Sequence, residues 1–485
     1  MIAAVFNSVT LPLWAAALLV LIAAWFVLER LLVPSVRWVL RRRVNRVLDE
    51  VNKRLQIHVQ PFKLTKRRVL LDRLIYDPEV LAAAEAFCES EEMPREVVME
   101  KVKRYAHEIV PSFNAYLYFR FGYWLSRNLA RALYRVRLGY ADQKALEEVQ
   151  PDSTIVFVMN HRSNMDYVLV SYLVAERTAL SYAVGEWARI FPLESLVRSM
   201  GAYFVRRKSR NDLYRRVLAR YVAMATAEGV TQAVYPEGGL SRDGSLKEPR
   251  LGLLDYMLRS FDPEAARDLV FVPVGLNYDR VLEDRTLLLD LDPDAPRKRG
   301  LGALATTLGF WLKNFSLWVS GKWYRFGYAC VGFGAPVSMR RYVAEHGLSL
   351  SRLERSERFA AVEKLAVELM ARVGEIIPVV PVSLVATVIS ASPERSWSLL
   401  ELKAAVQELV ERLESRGAHV YIPRSDADYA IEVGLRMLVL RRAVREEDGL
   451  LSPEPADLDL LRYYARSIGH LVDEASPVQA GAVTS

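Results

Sequence analysis

The chain has 485 residues, more than one hydrophobic core usually serves, so two or more domains are expected. Hydrophobic residues make up 52% and charged residues 25%, with 24 Gly and 22 Pro, which excludes a disordered, collagen-like or low-complexity protein. Two cysteines, Cys88 and Cys330, are too few for a disulfide scaffold or a four-ligand zinc site, and they suit a reducing compartment. Lys+Arg 65 against Asp+Glu 58 leaves a net charge of +7. Such an excess suits nucleic acid, anionic lipid or phosphorylated substrates, and its location along the chain has to decide between them.

Met1 to Leu28 carries no charge, and Leu11–Leu28 reads LPLWAAALLVLIAAWFVL. With Leu31, Leu32 and Val33 it reaches the ~20 residues needed to cross hydrocarbon. Arg30, Arg37, Arg41, Arg42, Arg43 and Arg46 follow at once, with Glu29 as the only acid among them. The positive-inside rule makes that flank cytoplasmic, at ~1 kcal/mol of headgroup attraction per arginine. A cleaved signal peptide fits poorly because no Lys or Arg precedes the apolar run. A buried core helix is the other alternative, and the basic flank argues against it. Residues 1–35 are therefore expected to be a transmembrane or signal-anchor helix, with the rest of the chain facing the cytoplasm at the cell membrane.

Residues 36–110 show helical periodicity with few breakers and predict a helical N-terminal domain without a catalytic constellation, His58 and His107 being isolated. Beyond about Gln150, apolar runs alternate with helix-length segments: Thr154–Met159, Leu180–Val184, Ala202–Val205, Gln232–Tyr235 and Val270–Gly275. Runs of this kind read as buried strands. The fold class expected for 111–340 is α/β, a central mixed sheet flanked by helices, with the active site along one edge of the sheet. Between Gly309 and Phe333 the chain is aromatic, and Trp311, Phe315 and Trp318 fall on one helix face. Core packing is the default there, an interfacial patch the alternative. Residues 341–472 predict a mostly helical C-terminal domain, and 473–485 a disordered tail.

The polar motifs sit at the strand ends. Thr154–Met159 runs into Asn160-His161-Arg162-Ser163-Asn164-Met165-Asp166. A five-residue separation lets the Asp166 carboxylate fold back onto the His161 imidazole, fixing the tautomer and freeing the other nitrogen to take a proton from a hydroxyl. Taken alone, H-x4-D arises by chance, and a capping Asp beside a buried His explains most cases. Ala202–Val205 runs into Arg206, Arg207 and Lys208. From Arg198 to Arg220 there are eight bases and one acid, Asp212, a cluster suited to a phosphate. A solvated helix face accounts for Arg215, Arg216 and Arg220 but less well for Arg206 and Arg207. Tyr235-Pro236-Glu237-Gly238-Gly239-Leu240-Ser241-Arg242-Asp243-Gly244 supplies glycines that permit close approach and backbone N–H groups that serve anions. Val272–Tyr278 reads as a buried strand ending in Pro and Gly near the same edge.

These four blocks, in this order, resemble the motifs of the glycerolipid (HxxxxD) acyltransferase superfamily. HRSNMD, GAYFVRR and EGGLSR are most similar to its glycerol-3-phosphate acyltransferase (PlsB-type) branch. PVVPVSLVAT at 378–387 and Tyr463–Leu471 also resemble segments of that branch, so the similarity runs from about Val110 to Val472. The resemblance implies that His161 is the general base and Asp166 its orienting partner. It implies that Arg206, Arg207, Glu237, Gly238, Ser241 and Arg242 serve the acceptor phosphate and catalysis, and Pro273 the acyl side. Leu240 stands where that family commonly has arginine, and Asp243 where it has Thr or Ser, so one phosphate contact is missing.

The chemistry implied is transfer of a fatty acyl group from acyl-CoA or acyl-carrier protein to the sn-1 hydroxyl of glycerol 3-phosphate, giving lysophosphatidic acid for phospholipid synthesis, with no metal or bound cofactor. Alternatives are acylation of lysophosphatidic acid at sn-2, acylation of dihydroxyacetone phosphate, and a membrane-anchored lipid-binding protein without turnover. Nucleic acid is disfavoured, since the bases sit beside the apolar N-terminus or the candidate site.

Overall fold

The computed structural model describes residues 60–174, 178–185, 193–206, 209, 211–259, 261–264, 267–291, 325–350 and 352–472. The expected anchor at 1–35, its basic flank, His58, Arg207, most of the aromatic run at 309–324 and the tail at 473–485 lie outside them. No described helix is long and apolar enough to cross a membrane.

The described residues open with a short helix (Pro61–Leu64), followed by helices α1 (Arg67–Ile75), α2 (Pro78–Ser90) and α3 (Arg95–Ile109). A π-helical turn (Leu117–Gly122) leads into α4 (Tyr123–Leu133) and the edge strand β1 (Arg135–Ala141). Then follow β2 (Thr154–Met159), α5 (Met165–Val174), β3 (Ser181–Val184), β4 (Tyr203–Phe204), α6 (Asp212–Ala227), β5 (Gln232–Val234), α7 (Gly252–Leu258) and β6 (Leu269–Tyr278). Strands β7 (Tyr328–Phe333) and β8 (Val337–Ser338) complete the sheet. Beyond it come α8 (Arg355–Glu375), α9 (Pro381–Ala391), β9 (Trp397–Ser398), α10 (Leu399–Ser415), α11 (Ala427–Leu440), β10 (Val444–Glu447), β11 (Leu450–Pro453) and α12 (Leu458–Ala465).

The main sheet has the order β1-β7-β6-β2-β5-β3-β4, with β8 also on β6. It is parallel except where β7 and β8 run antiparallel to β6, so it is mixed, as expected. Period-2 alternation splits each central strand between two cores. Phe157 and Met159 of β2, with Val270, Val272, Val274, Leu276 and Tyr278 of β6, face one core. Val156 and Val158, with Leu269 and Phe271, face the other. Helices α4, α5, α9, α10, α11 and α12 pack on the first face; α1, α2, α3, α6, α7 and α8 pack on the second. The described residues thus form a three-layer unit, and the C-terminal helices belong to the same cores as the sheet. A three-stranded sheet, β10-β11-β9, accompanies them.

Two local features show how sequence sets these positions. Ser398 and Glu401 form a capping box at the start of α10, whose Leu402, Val406, Leu409, Val410 and Leu413 make one buried stripe. Gly275 of β6 lies opposite Gly332 of β7. A Cβ on either would meet the Ile376 carbonyl oxygen, at 2.5 and 2.6 Å, so only paired glycines let the α8–α9 connection lie on the sheet.

The fourth block corrects one expectation. Its strand does not end at Pro273 and Gly275 but continues to Tyr278. Pro273 is tolerated inside a central strand because its nitrogen faces the side where β6 passes from β8 (paired at Val270 and Phe271) to β7 (paired from Val274), so no ladder hydrogen bond is lost. Its carbonyl, on the same side, accepts from Gly334.

Asp279, just past β6, accepts from the backbone N–H groups of Tyr328 (2.7 Å) and Val382 (3.0 Å), tying β7 to the start of α9. Burial pushes its carboxyl up from 3.8 to about 7, against the two N–H groups and Arg135. The folded chain therefore holds a proton here that the unfolded chain has lost, and this contribution to stability disappears as pH rises from about 4 to about 7. Chemical denaturation across that window should show the decline, and Asp279→Asn should flatten it. Asp279→Ala, which orphans two buried donors, should cost about 1–3 kcal/mol for each.

Candidate active site

The site lies where β2, β5 and β6 end. At the end of β2, Asn160 extends the β2–β6 ladder with its side chain: Nδ2 donates to the Leu276 carbonyl (2.9 Å) and Oδ1 accepts from the Leu276 N–H (2.8 Å). The loop that follows is thereby fixed to both strands. His161 is buried, and its Nδ1 lies 2.9 Å from Asp166 Oδ2. The same oxygen accepts from the N–H groups of Arg162 (2.8 Å) and Ser163 (3.1 Å), while Oδ1 accepts from the Tyr278 hydroxyl (2.6 Å). An oxygen already serving two N–H donors is an acceptor for the ring as well, so Nδ1 carries the hydrogen and Nε2 is the basic nitrogen. The imidazole stacks on Tyr235 at 4.1 Å between centroids and meets Tyr167 edge-on at 5.5 Å.

Glu237, at the end of β5, grips the same loop from its backbone. Its Oε1 accepts from the His161 N–H (2.7 Å), and the Ser241 N–H donates to the His161 carbonyl (2.9 Å). Burial pushes Glu237 up to about 7, opposed by the His161 N–H and by the charges of Arg162 and Lys247. Gly238 has φ +71, and a Cβ there would lie 2.6 Å from Arg250 Cδ, so the third block folds under Arg250. Ser241 Oγ donates to the Ser245 carbonyl (2.7 Å), which keeps the turn closed. Arg242 is exposed, Leu240 is half-buried against the core, and Lys247 Nζ donates to the Leu240 carbonyl (3.3 Å).

The structure therefore brings His161, Asp166, Glu237 and Ser241 into one hydrogen-bonded cluster, with Gly238 and Arg242 on the same loop as Glu237. Arg206 is engaged elsewhere. Its guanidinium is bidentate with Glu108 of α3 (2.8 and 2.6 Å) and lies over the Tyr105 and Tyr214 rings. Pro273 sits inside β6, five residues before Tyr278.

Several residues that hold the site were not singled out from sequence. Tyr278 is one. Glu283 is another: it accepts from Ser163 Oγ (2.7 Å) and from the N–H and Nδ2 of Asn164 (3.3 and 3.1 Å). Its neighbour Asp284 is locked by Arg441 and the Tyr464 hydroxyl, which also accepts from the Val281 N–H (3.1 Å). Asn277 Nδ2 donates to the Pro378 carbonyl (2.9 Å) and reaches Ser383 and Ser467 Oγ (3.3 Å each). Arg162 is buried, donates to the Gly244 carbonyl and lies 5.0 Å from the Tyr463 ring centre. Its Nε and Nη2, like Glu237 Oε2, have no partner in the structure. Gly244 has φ +92 and a Cβ position 1.9 Å from the Tyr463 carbonyl oxygen, so any side chain there would expel α12. The sequence hinted at these ties only through the resemblance of the 378–387 and Tyr463–Leu471 segments to the same family as the motifs.

A family model described as Acyltransferase matches residues 142–277. The sheet and the His161–Asp166 pair lie within that match, so this part of the chain is similar to the acyltransferases. Among these the affinity is to the glycerol-3-phosphate acyltransferases: a model of the glycerol-3-phosphate acyltransferase C-terminal region matches residues 317–478. The glycerol-3-phosphate acyltransferase of Pseudomonas paraeruginosa is 33% identical over 313 residues, 62% of this chain and 36% of that protein. That of Xanthomonas campestris is 26% identical over 450 residues, 90% of this chain and 49% of that protein. The chain thus spans about a third to a half of the length of these curated relatives. The crystal structure of a 1-acyl-sn-glycerophosphate acyltransferase from Thermotoga maritima aligns with a TM-score of 0.31 at 17% identity, over 52% of this chain and 78% of that one, too slight a likeness to bear on function.

Tyr278→Phe removes one charge-assisted donor from Asp166 while leaving the ring in place. In an assay of acyl transfer, kcat should fall by roughly 10-fold or more. Asp166→Asn, which presents the wrong tautomer partner, should fall far further, by ~10⁴ as in an analogous triad.

Proposed function

We propose that the protein transfers a fatty acyl group from an acyl thioester, acyl-CoA or acyl-carrier protein, to the sn-1 hydroxyl of glycerol 3-phosphate, yielding lysophosphatidic acid. The observation that carries this reading is the buried Asp166–His161 pair, with Nε2 as the ring's basic nitrogen, within a chain similar to glycerol-3-phosphate acyltransferases. In this mechanism Nε2 takes the proton from the acceptor hydroxyl as its oxygen attacks the thioester carbonyl. Asp166 steadies the imidazolium that forms. As the tetrahedral intermediate collapses, the C–S bond breaks and the imidazolium returns the proton to the leaving thiolate. A thioester is already activated, so no covalent enzyme intermediate, metal or bound cofactor is invoked.

The acceptor phosphate is assigned to the third block rather than to Arg206, whose guanidinium is taken by Glu108. Arg242 is exposed there, and Lys247 and Arg250 lie on the same loop, supplying cations where Leu240 does not. Glu237, in this account, works by holding the His161 backbone rather than by touching the acceptor. The expected setting is the cytoplasmic face of the cell membrane, reached through the apolar segment at 1–35, where a lipid product is released.

Membranes carrying the chain should acylate glycerol 3-phosphate from a labelled acyl thioester, and His161→Ala should abolish this. Arg242→Ala should raise the acceptor KM by about 10- to 150-fold, the value of a charge-assisted hydrogen bond, with little change in the donor KM. Turnover of lysophosphatidic acid but not glycerol 3-phosphate would replace this reading with sn-2 acylation.

A further inference from the structure

The helical segment from Leu117 to Leu133 has a surface that the chemistry of the site does not use. Tyr118, Gly122, Ser126, Ala130 and Leu133 face inward. The opposite face is exposed and carries Arg120, Trp124, Arg127 and Arg131 at i, i+4, i+7 and i+11, with Phe121 beside them. Trp124 is 58% exposed and Phe121 40%, their rings 6.2 Å apart. From Pro111 to Ala141 the sequence contains five arginines and no aspartate or glutamate. No carboxylate among the described residues pairs with Arg120, Arg127 or Arg131.

Other outward helix faces of the chain differ. On α3, Lys103 meets Glu100; on α10, Lys403 meets Asp428 and Glu432 of α11. That mixture of signs is how a helix face is ordinarily solvated. A face of arginines around an exposed tryptophan, with no acid, instead matches the headgroup zone of an anionic bilayer. There guanidinium groups meet phosphates and indole sits at the boundary of the acyl chains.

We propose that the exposed face of the Leu117–Leu133 segment docks on an anionic lipid surface, Trp124 and Phe121 entering the headgroup layer and Arg120, Arg127 and Arg131 pairing with lipid phosphates. This contact is separate from any anchor at 1–35 and does not depend on the acyltransfer reading. Since α4 packs on α5, with Tyr123 and Tyr172 rings 6.1 Å apart, docking sets the helix that carries Asp166 in its first turn one layer from the bilayer.

The test uses the full chain in vesicles with an environment-sensitive fluorophore at Trp124→Cys, Cys88 having been replaced by serine. In phosphatidylglycerol vesicles the probe should shift to the blue and be quenched by lipids spin-labelled near the headgroup. In phosphatidylcholine vesicles both effects should be much weaker. Each arginine exchanged for glutamine should lower the docked-to-undocked ratio about fivefold, and the triple exchange about 100-fold. A probe quenched by aqueous iodide and untouched by spin-labelled lipid in phosphatidylglycerol would overturn the proposal. So would equal quenching in the two lipids, or a blue shift produced only by an added acidic acyl-carrier protein.

Discussion

Asp166 is fully buried, and a carboxylate taken out of water has to have its lone pairs filled by the protein. The donors come from three places: the His161 ring, the N–H groups of the turn at Arg162 and Ser163, and the Tyr278 hydroxyl at the end of β6. Meeting that one requirement folds the motif loop back on itself, sets the imidazole's orientation and brings the end of β6 against the end of β2. The rest of the architecture is arranged so that these donors stay where they are.

Much of that support comes from the C-terminal part of the chain. Glu283 holds Ser163 and Asn164, and the adjacent Asp284 is held by Arg441 and Tyr464. Asn277, next to Tyr278, is tied to Pro378, Ser383 and Ser467. Arg162 and Gly244 both lie on Tyr463. Residues beyond the sheet thus reach the motif loop by three routes, which gives a physical reason for them to share one core with it. The N-terminal helices contribute differently, through Glu108, which occupies Arg206 and ties β4 to α3.

The sequence made the strands at β2, β3, β5 and β6 legible, because a buried strand needs an unbroken apolar run, and it made His161, Asp166 and Glu237 legible because they follow such runs. It did not reveal β1, whose Arg135 and Arg137 read as surface residues. They are tolerated because β1 is an edge strand, with both guanidinium groups over the Tyr328 ring. Nor did it reveal β7, hidden in a run whose aromatic spacing suggested helix. The family resemblance associated Glu237 with the acceptor phosphate and catalysis; no local pattern showed that one of its oxygens accepts from the His161 N–H, a contact that only the folded chain makes. Tyr278, Glu283 and Arg441 act through long-range contacts, and no local pattern marks a residue that works across more than 100 positions of chain.

The central claim is that Asp166 holds His161 with hydrogen on Nδ1 and a bare Nε2. Nitrogen-15 NMR of histidine-labelled protein reports this directly, since the chain has six histidines and His161→Ala identifies the resonance. The account predicts a protonated Nδ1 and an unprotonated Nε2 at neutral pH, with the Nδ1 proton strongly downfield and lost in Asp166→Asn. A His161 signal showing hydrogen on Nε2, unchanged by Asp166→Asn, would contradict it.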